Sequence, residues 1–285
     1  MSKMAFVYPG QGVQNPGMGA DFYKESKEAE QIYNEAESIL DFDIKKVCFE
    51  ENDLINNTEY TQAALVTTYL AITGEVIKRE IFPDVTAGLS LGEYGAICVA
   101  GGMNEKEAIS LVRKRGIYMN NAVPEGFGGM TAVLGLNKED IDNVLREKDG
   151  VSVANYNCPG QIVITGSVEA IESSVPDLKK LGARCVKLKV RGPFHSPYLK
   201  EAGEKLGRDL EKVTFNNLSI PYVSNVTGEY VDDIKYTKEL LKQQVYSPVK
   251  WEQSVRCMIE NGVDTFVEIG PGRTIGGFIR KIDKT

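Results

Sequence analysis

A single histidine, His195, stands in 285 residues, so a site built on several imidazoles is excluded and any histidine chemistry is tied to one position. Cysteine is sparse as well. Cys48, Cys98, Cys158, Cys185 and Cys257 are odd in number and scattered, and no pair has C-x-x-C spacing. Neither a disulfide framework nor a thiolate metal cage fits that distribution; the expectation is reduced thiols, a cytoplasmic setting and no metal. Long apolar runs are missing too. The most apolar stretch, around Ala63 to Ile72, is broken by Thr67 and Thr68 and flanked by Glu59 and Glu75, well short of the ~18 residues that a membrane span needs. Met1 to Tyr8 carries one lysine and then meets Pro9, which leaves no room for the apolar segment of a secretory signal. There is no basic excess: 33 Lys and Arg against 40 Asp and Glu leave a net charge of −7, which argues against a nucleic-acid partner.

What is present is an ordinary globular composition, 42% hydrophobic and 26% charged, enough for a large core in one domain or two intimate ones. Ala5 to Tyr8 reads as a strand entering the loop Pro9-Gly10-Gln11-Gly12. Ala29, Ile32, Tyr33, Ala36 and Leu40 recur at helical spacing, and Tyr60 to Lys78 reads as a long buried helix capped by Thr58. After Pro83, the strand Val85–Ala87 enters a tight turn, Gly88 to Gly92, followed by helices over 93–100 and 105–120. Beyond Gly129 the pattern changes to strand 130–134, helix 138–147, strands 151–155 and 162–165, helix 168–181 and strand 184–190. That β-α-β-β-α-β order is ferredoxin-like. The expected architecture is therefore α/β: a main body with a mostly parallel sheet over 1–126 and 193–285, and a ferredoxin-like insert over 127–192. Helices over 198–210, 237–245 and 252–260, strands 221–223 and 265–269, and a helix after Gly270-Pro271-Gly272 complete the body.

Gly88-Leu89-Ser90-Leu91-Gly92 matches the G-x-S-x-G elbow, in which glycines permit a sharp strand-to-helix turn that lifts the serine hydroxyl clear of the sheet. The turn also places Ser90 at a helix N-terminus, where free N–H groups favour a developing oxyanion. A serine needs a positioned base, and His195, in the loop Gly192-Pro193-Phe194-His195-Ser196-Pro197, is the only imidazole. No acid can be singled out to complete a triad. Arg115, in the run Arg113-Lys114-Arg115, is either one charge on a solvated face or a guanidinium that holds a substrate carboxylate in a bidentate pair. From Lys179 to Arg191 there are six cationic residues and no acid. Lys187, Lys189 and Arg191 alternate there with Val186, Leu188 and Val190, so a strand would turn one face inward and the other out as a cationic row. Edge-strand protection and docking of an acidic or phosphorylated partner both account for such a row.

Taken together, these blocks resemble the malonyl-CoA:acyl carrier protein transacylases. Phe6-Val7-Tyr8-Pro9-Gly10-Gln11-Gly12, the elbow continued as Glu93-Tyr94, and Arg115-Gly116 with Met119 carry the likeness. So do Ala154-Asn155-Tyr156-Asn157-Cys158-Pro159-Gly160-Gln161, Pro193 to Pro197, Ser224-Asn225-Val226-Thr227-Gly228, Pro248-Val249-Lys250-Trp251 and Glu268-Ile269-Gly270-Pro271-Gly272, in order over nearly the whole chain. The resemblance implies an α/β-hydrolase-like body with a ferredoxin-like insert and a reaction without a cofactor. Ser90 would be acylated by malonyl-CoA, with His195 as base and then acid, and acyl carrier protein would take the malonyl group for fatty acid synthesis. It further implies Arg115 as partner of the malonyl carboxylate, the backbone N–H groups of Gln11 and Leu91 as oxyanion hole, and the backbone carbonyl of Gln244 as the group orienting His195. Phe194 resembles the malonyl-selecting form. The elbow departs from the family's common G-H-S-L-G by Leu89. A trans-acting acyltransferase or an acyl-carrier editing hydrolase of polyketide synthesis is the alternative, and relatives that clip monocarboxylic chains generally lack the arginine.

Overall fold

Two adjacent parallel strands bring the future site together. β1 (Lys3–Tyr8) pairs with β2 (Val85–Gly88), Tyr8 standing opposite Gly88, so the loop after β1 and the turn after β2 emerge side by side at the carboxyl ends of the strands. Open α/β sheets hold their ligands at that edge. The computed structural model describes residues 2–284; Met1 and Thr285, at the outer bounds of the expected body and leader-free start, lie outside them.

Residues of β1 alternate between two cores. Phe6 and Tyr8 pack into a large cluster with Tyr33, Tyr69 and Ile97, while Ala5 and Val7 face a second cluster with Trp251, Val255 and Ile275. Apolar residues on both faces make this a sheet buried between layers of helices. On the first face lie α1 (Ala20–Glu25), α2 (Lys27–Ile39), α3 (Ile44–Phe49), α4 (Thr58–Lys78), α5 (Gly92–Val99) and α6 (Glu105–Asn120). α4 is buried nearly all round, as expected of a core helix. Asn57, not Thr58, occupies its cap position, and Thr58 is the first helical residue.

A second sheet follows. β3 (Gly128–Leu134), α7 (Lys138–Arg146), β4 (Val151–Cys158), β5 (Gln161–Ser167), α8 (Val168–Lys180) and β6 (Arg184–Lys187) form a four-stranded antiparallel sheet of order β4-β5-β3-β6. It has its own core around Val133, Ile141, Ile164 and Leu178. Ala132, Ala154 and Val163 face the large cluster of the first sheet instead. β6 ends at Lys187, three residues before the expected Val190: after Lys187 pairs with Thr131, only the Leu188 N–H continues, donating to Met130 O at 2.9 Å. The expected inward face fails only at Val186, since Leu188 and Val190 are half-buried against the large cluster. Val186 is exposed at the sheet edge and Cys185 packs inward.

The chain then returns through a short 3₁₀ turn (Pro197–Leu199), α9 (Lys200–Leu210), β7 (Tyr222–Val223), β8 (Tyr230–Val231), α10 (Thr237–Gln244), α11 (Trp251–Glu260), β9 (Val263–Glu268) and α12 (Thr274–Ile282). The first sheet has order β8-β7-β2-β1-β9, parallel except for β8. Val249, between α10 and α11, ties the returning chain to β4: its N–H donates to Ala154 O and its carbonyl accepts from Tyr156 N–H.

Candidate functional site

The elbow works because two positions cannot carry a side chain. A Cβ on Gly88 would lie 1.9 Å from the Gly92 carbonyl carbon, and one on Gly92 would lie 2.3 Å from Tyr8 O, so the strand, the turn and α5 meet backbone to backbone. Ser90 pays for the sharp turn with φ of 53°, in the left-handed region. Asn225, in the loop after β7, holds it there: the amide Nδ2 donates to Gly88 O and Oδ1 accepts from Ser90 N–H. Leu89 N–H donates to Tyr8 O, which presses the Pro9-Gly10-Gln11-Gly12 loop against the elbow.

His195, also at positive φ (58°), brings Nε2 to 2.7 Å from Ser90 Oγ. Its Nδ1 lies 2.8 Å from Gln244 O. A carbonyl only accepts, so Nδ1 carries the proton and Nε2 offers its lone pair to the serine hydroxyl. Burial, and next the charge of Arg115, push the imidazole down to about 4, so it stands neutral and ready to accept a proton at pH 7.

Arg115 is not on a solvated face. Its side chain is 1% exposed on α6, with Cζ 5.4 Å from the Tyr94 ring centroid. Nη1 donates to Gln62 Oε1 at 2.9 Å, and Nη2 donates to Gln244 Oε1 at 2.9 Å and to Ser90 Oγ at 3.2 Å. Among the described residues no carboxylate lies within ion-pairing distance of it. Burial lowers its pKa from the ordinary guanidinium value, yet arginine stays charged, so a cation without a direct ion-pair partner sits beside the serine, with the buried Glu93 reaching it only through Gln244. Gln244 ties the cluster together through its side chain as well as its backbone, Nε2 donating to Ser90 O at 2.8 Å and to Glu93 Oε2 at 2.6 Å. Glu93 is fully buried, which raises its carboxyl to about 7.

Ser90, His195, Arg115 and Gln62 line a cavity of about 170 Å³ with Gly10, Gln11, Leu89, Leu91, Phe194, Asn155 and Asn157, and Gln244 lies behind it, bonded to Ser90, His195 and Arg115. Ser90, His195, Arg115, Gln11, Leu91 and Gln244 are thus brought together. Lys187, Lys189 and Arg191 are not in the cavity. They line a neighbouring groove facing Asp53, Asn56 and Asn57. Leu188 and Val190, between them, reach the cavity itself, so the alternation divides cleft from surface and not the two faces of a strand. Gln62, Glu93 and Asn225 had no assigned role in the sequence, although Glu93 and Asn225 stood inside the quoted motifs. Among the described residues no cluster of His, Cys, Asp and Glu is arranged to hold a metal ion, and no helix is long and apolar enough to cross a membrane.

A family model described as "Acyl transferase domain" matches residues 5–276. A relative in Bacillus subtilis, named malonyl CoA-acyl carrier protein transacylase, is 41% identical over 290 residues, which cover 100% of this chain and 92% of the relative. The crystal structure of a malonyl CoA-acyl carrier protein transacylase from Clostridium perfringens superposes with a TM-score of 0.96 at 42% identity, covering 99% of this chain and 91% of that one. A structure described as a type II PKS acyl-carrier protein in complex with its malonyl-transacylase gives 0.96 at 37% identity, covering 100% and 94%.

Proposed function

The chain belongs to the acyl transferase domain family, and from that membership we propose that it transfers a malonyl group from malonyl-CoA to the phosphopantetheine thiol of acyl carrier protein, supplying extender units for fatty acid synthesis. The carrying observation is the Arg115 guanidinium, without a direct ion-pair partner, 3.2 Å from the hydroxyl that His195 activates. A cation so placed has use for an acyl group that ends in a carboxylate.

In this reading Ser90 Oγ attacks the thioester carbonyl while His195 Nε2 takes its proton. The negative charge on the carbonyl oxygen is received by the backbone N–H groups of Gln11 and Leu91. Collapse breaks the C–S bond, and the CoA sulfur leaves with the proton from His195, which leaves malonyl-Ser90. The carrier thiol then gives its proton to His195 and attacks the ester, and Ser90 regains its hydrogen as it departs. Gln244 O holds the ring in one tautomer throughout, a part played elsewhere by an aspartate. Arg115 contributes twice. Before substrate arrives, Nη2 occupies a lone pair of Ser90 Oγ, and its charge opposes the imidazolium that must form. A bound carboxylate draws that hydrogen bond away and offsets the charge, so the substrate's own carboxylate favours proton transfer.

The finer architecture belongs to the same reading: an α/β-hydrolase-like body over 1–126 and 193–285, with a ferredoxin-like insert over 127–192. Its support is the β-α-β-β-α-β run with strand order β4-β5-β3-β6. A cytoplasmic setting agrees with five free cysteines. Lys187, Lys189 and Arg191, beside the cavity, are read as a docking row for the acidic carrier. Intact-mass measurement after mixing with malonyl-CoA tests the whole: wild type gains one malonyl group and Ser90→Ala gains none. An undiminished adduct on Ser90→Ala would remove Ser90 as the nucleophile.

A further inference from the structure

We infer that Glu93 is a positioning residue for acyl selection: its carboxylate helps to fix which way the Gln244 side-chain amide faces, and the amide in turn holds the Arg115 guanidinium where a substrate carboxylate can reach it. The inference rests on the transfer reading above and adds a residue to it.

A glutamine amide has two orientations that differ only in which end donates. At Gln244 the Nε2 end faces Glu93 Oε2 and Ser90 O, and the Oε1 end faces Arg115 Nη2. Turned over, the amide would set its NH₂ against a guanidinium N–H and its oxygen against a carboxylate and a carbonyl, three contacts mismatched at once. An ionised carboxylate can only accept, so Glu93 adds to the Ser90 carbonyl and the guanidinium in selecting the observed orientation. A protonated one can donate, and the selection weakens. Arg115 would then keep its anchor at Nη1 through Gln62, and at Nη2 only the longer contact to Ser90 Oγ.

The burial of Glu93 points the same way. It is 0% exposed in the first turn of α5, Oε2 also accepts from Asn225 N–H at 3.3 Å, and Oε1 has no hydrogen-bond partner among the described residues. A carboxyl half-satisfied in the core is costly to folding. A favourable helix N-terminus explains an acid there but not its bond to Gln244, whose side chain touches Ser90 and the guanidinium and whose backbone carbonyl holds His195. The titratable and charged groups that face Glu93 are Arg115 from α6, Tyr94 from α5 and Tyr222 from β7. Burial drives both phenols upward and holds His195 down at about 4, so Glu93 is the member of the cluster that titrates near neutrality. Lowering the pH through about 7 protonates it, and malonyl preference falls in that direction.

The test is the rate of covalent acylation by malonyl-CoA and by acetyl-CoA, followed by quenched-flow mass spectrometry from pH 8 to pH 6, on wild type and on Glu93→Gln. In wild type the malonyl-to-acetyl ratio falls as the pH drops. In Glu93→Gln the ratio at pH 8 is lower by about tenfold, mostly through malonyl, and no longer depends on pH. A role in folding alone would lower both acylations together and leave the ratio flat. A wild-type ratio constant from pH 8 to pH 6 overturns the inference even if Glu93→Gln fails to fold, and so does a folded Glu93→Gln with the wild-type ratio and profile. Absence of any malonyl adduct on wild type overturns the transfer reading and this inference together, which separates the two failures.

Discussion

At the scale of single residues, the cluster around Ser90 is an exercise in keeping one positive charge useful. Arg115 is held by two amide oxygens and a hydroxyl, all neutral acceptors, so its charge is oriented without being cancelled. A carboxylate-bearing acyl group then gains far more from the site than a neutral one. Removing one partner of a buried charged pair costs about 2–5 kcal/mol, which corresponds to about 30-fold to several thousand-fold. Arg115→Ala should therefore lose malonyl acylation on that scale while acetyl acylation falls much less, as read from acylation rates with the two CoA esters. Equal losses would mean that Arg115 only supports the fold. The variant also carries a pH signature. Arg115 is the second cause, after burial, of the low imidazole pKa, so its removal raises that pKa part of the way toward the ordinary value. Because the base must be neutral, the acid limb of acetyl acylation then moves to higher pH.

At the scale of elements, the elbow shows why local sequence was enough to single out Ser90 as the candidate nucleophile. Gly88 and Gly92 are required by contacts inside one turn, and that requirement is written in the pentapeptide itself. Gly88→Ala forces a Cβ onto backbone atoms of Gly92 and Glu93 that cannot step aside. Overpacking of this kind costs about 1–3 kcal/mol or more; a Tm several degrees lower and a near-complete loss of malonyl-Ser90 are expected. Gly277→Ala is the control, since a Cβ there meets nothing within 4 Å and sits in α12, where alanine stabilises by about 0.5–1 kcal/mol. A Gly88→Ala protein that acylates normally would show that the turn has more room than its contacts allow. The same distinction between local and distant causes explains what the sequence made legible. α6 spans sixteen residues, long enough to display a helical period, and its bounds agree with the expected 105–120. α1, α3 and β8 span six, six and two residues, too few to display any period, and went unseen. β6 was overextended because alternation continues past Lys187, though its cause changes from sheet pairing to the wall of the cleft. Gln62 was invisible for a related reason. It lies in a helix buried nearly all round, and only the packing of α4 on α6 decides that it meets Arg115.

At the scale of the whole molecule, the question is how an acidic carrier approaches a protein of net charge −7. Uniformly spread charge would repel it. Lys187, Lys189 and Arg191 are the local exception, and they lie exposed on the segment whose alternate residues, Leu188 and Val190, form part of the cavity wall. The groove they line has one acid on its far side, Asp53, with Asn56 and Asn57, so its character is cationic where it meets the cavity. A carrier drawn to that rim would meet the cavity that Ser90 lines, and the attraction acts over a Debye length of about 8–10 Å at moderate salt. Such steering should change encounter with the carrier and leave the chemistry of the acyl-enzyme alone. Lys187→Glu combined with Lys189→Glu is therefore expected to raise KM for the carrier by about tenfold while malonylation of Ser90 by malonyl-CoA stays within about twofold. Added salt should raise the carrier KM of wild type and have little effect on that of the double variant, because the attraction that salt screens is already gone. Steady-state kinetics with the carrier at two ionic strengths distinguishes the outcomes. If the variant keeps both the wild-type KM and its salt dependence, the row serves only to protect the edge of β6 from pairing with another strand.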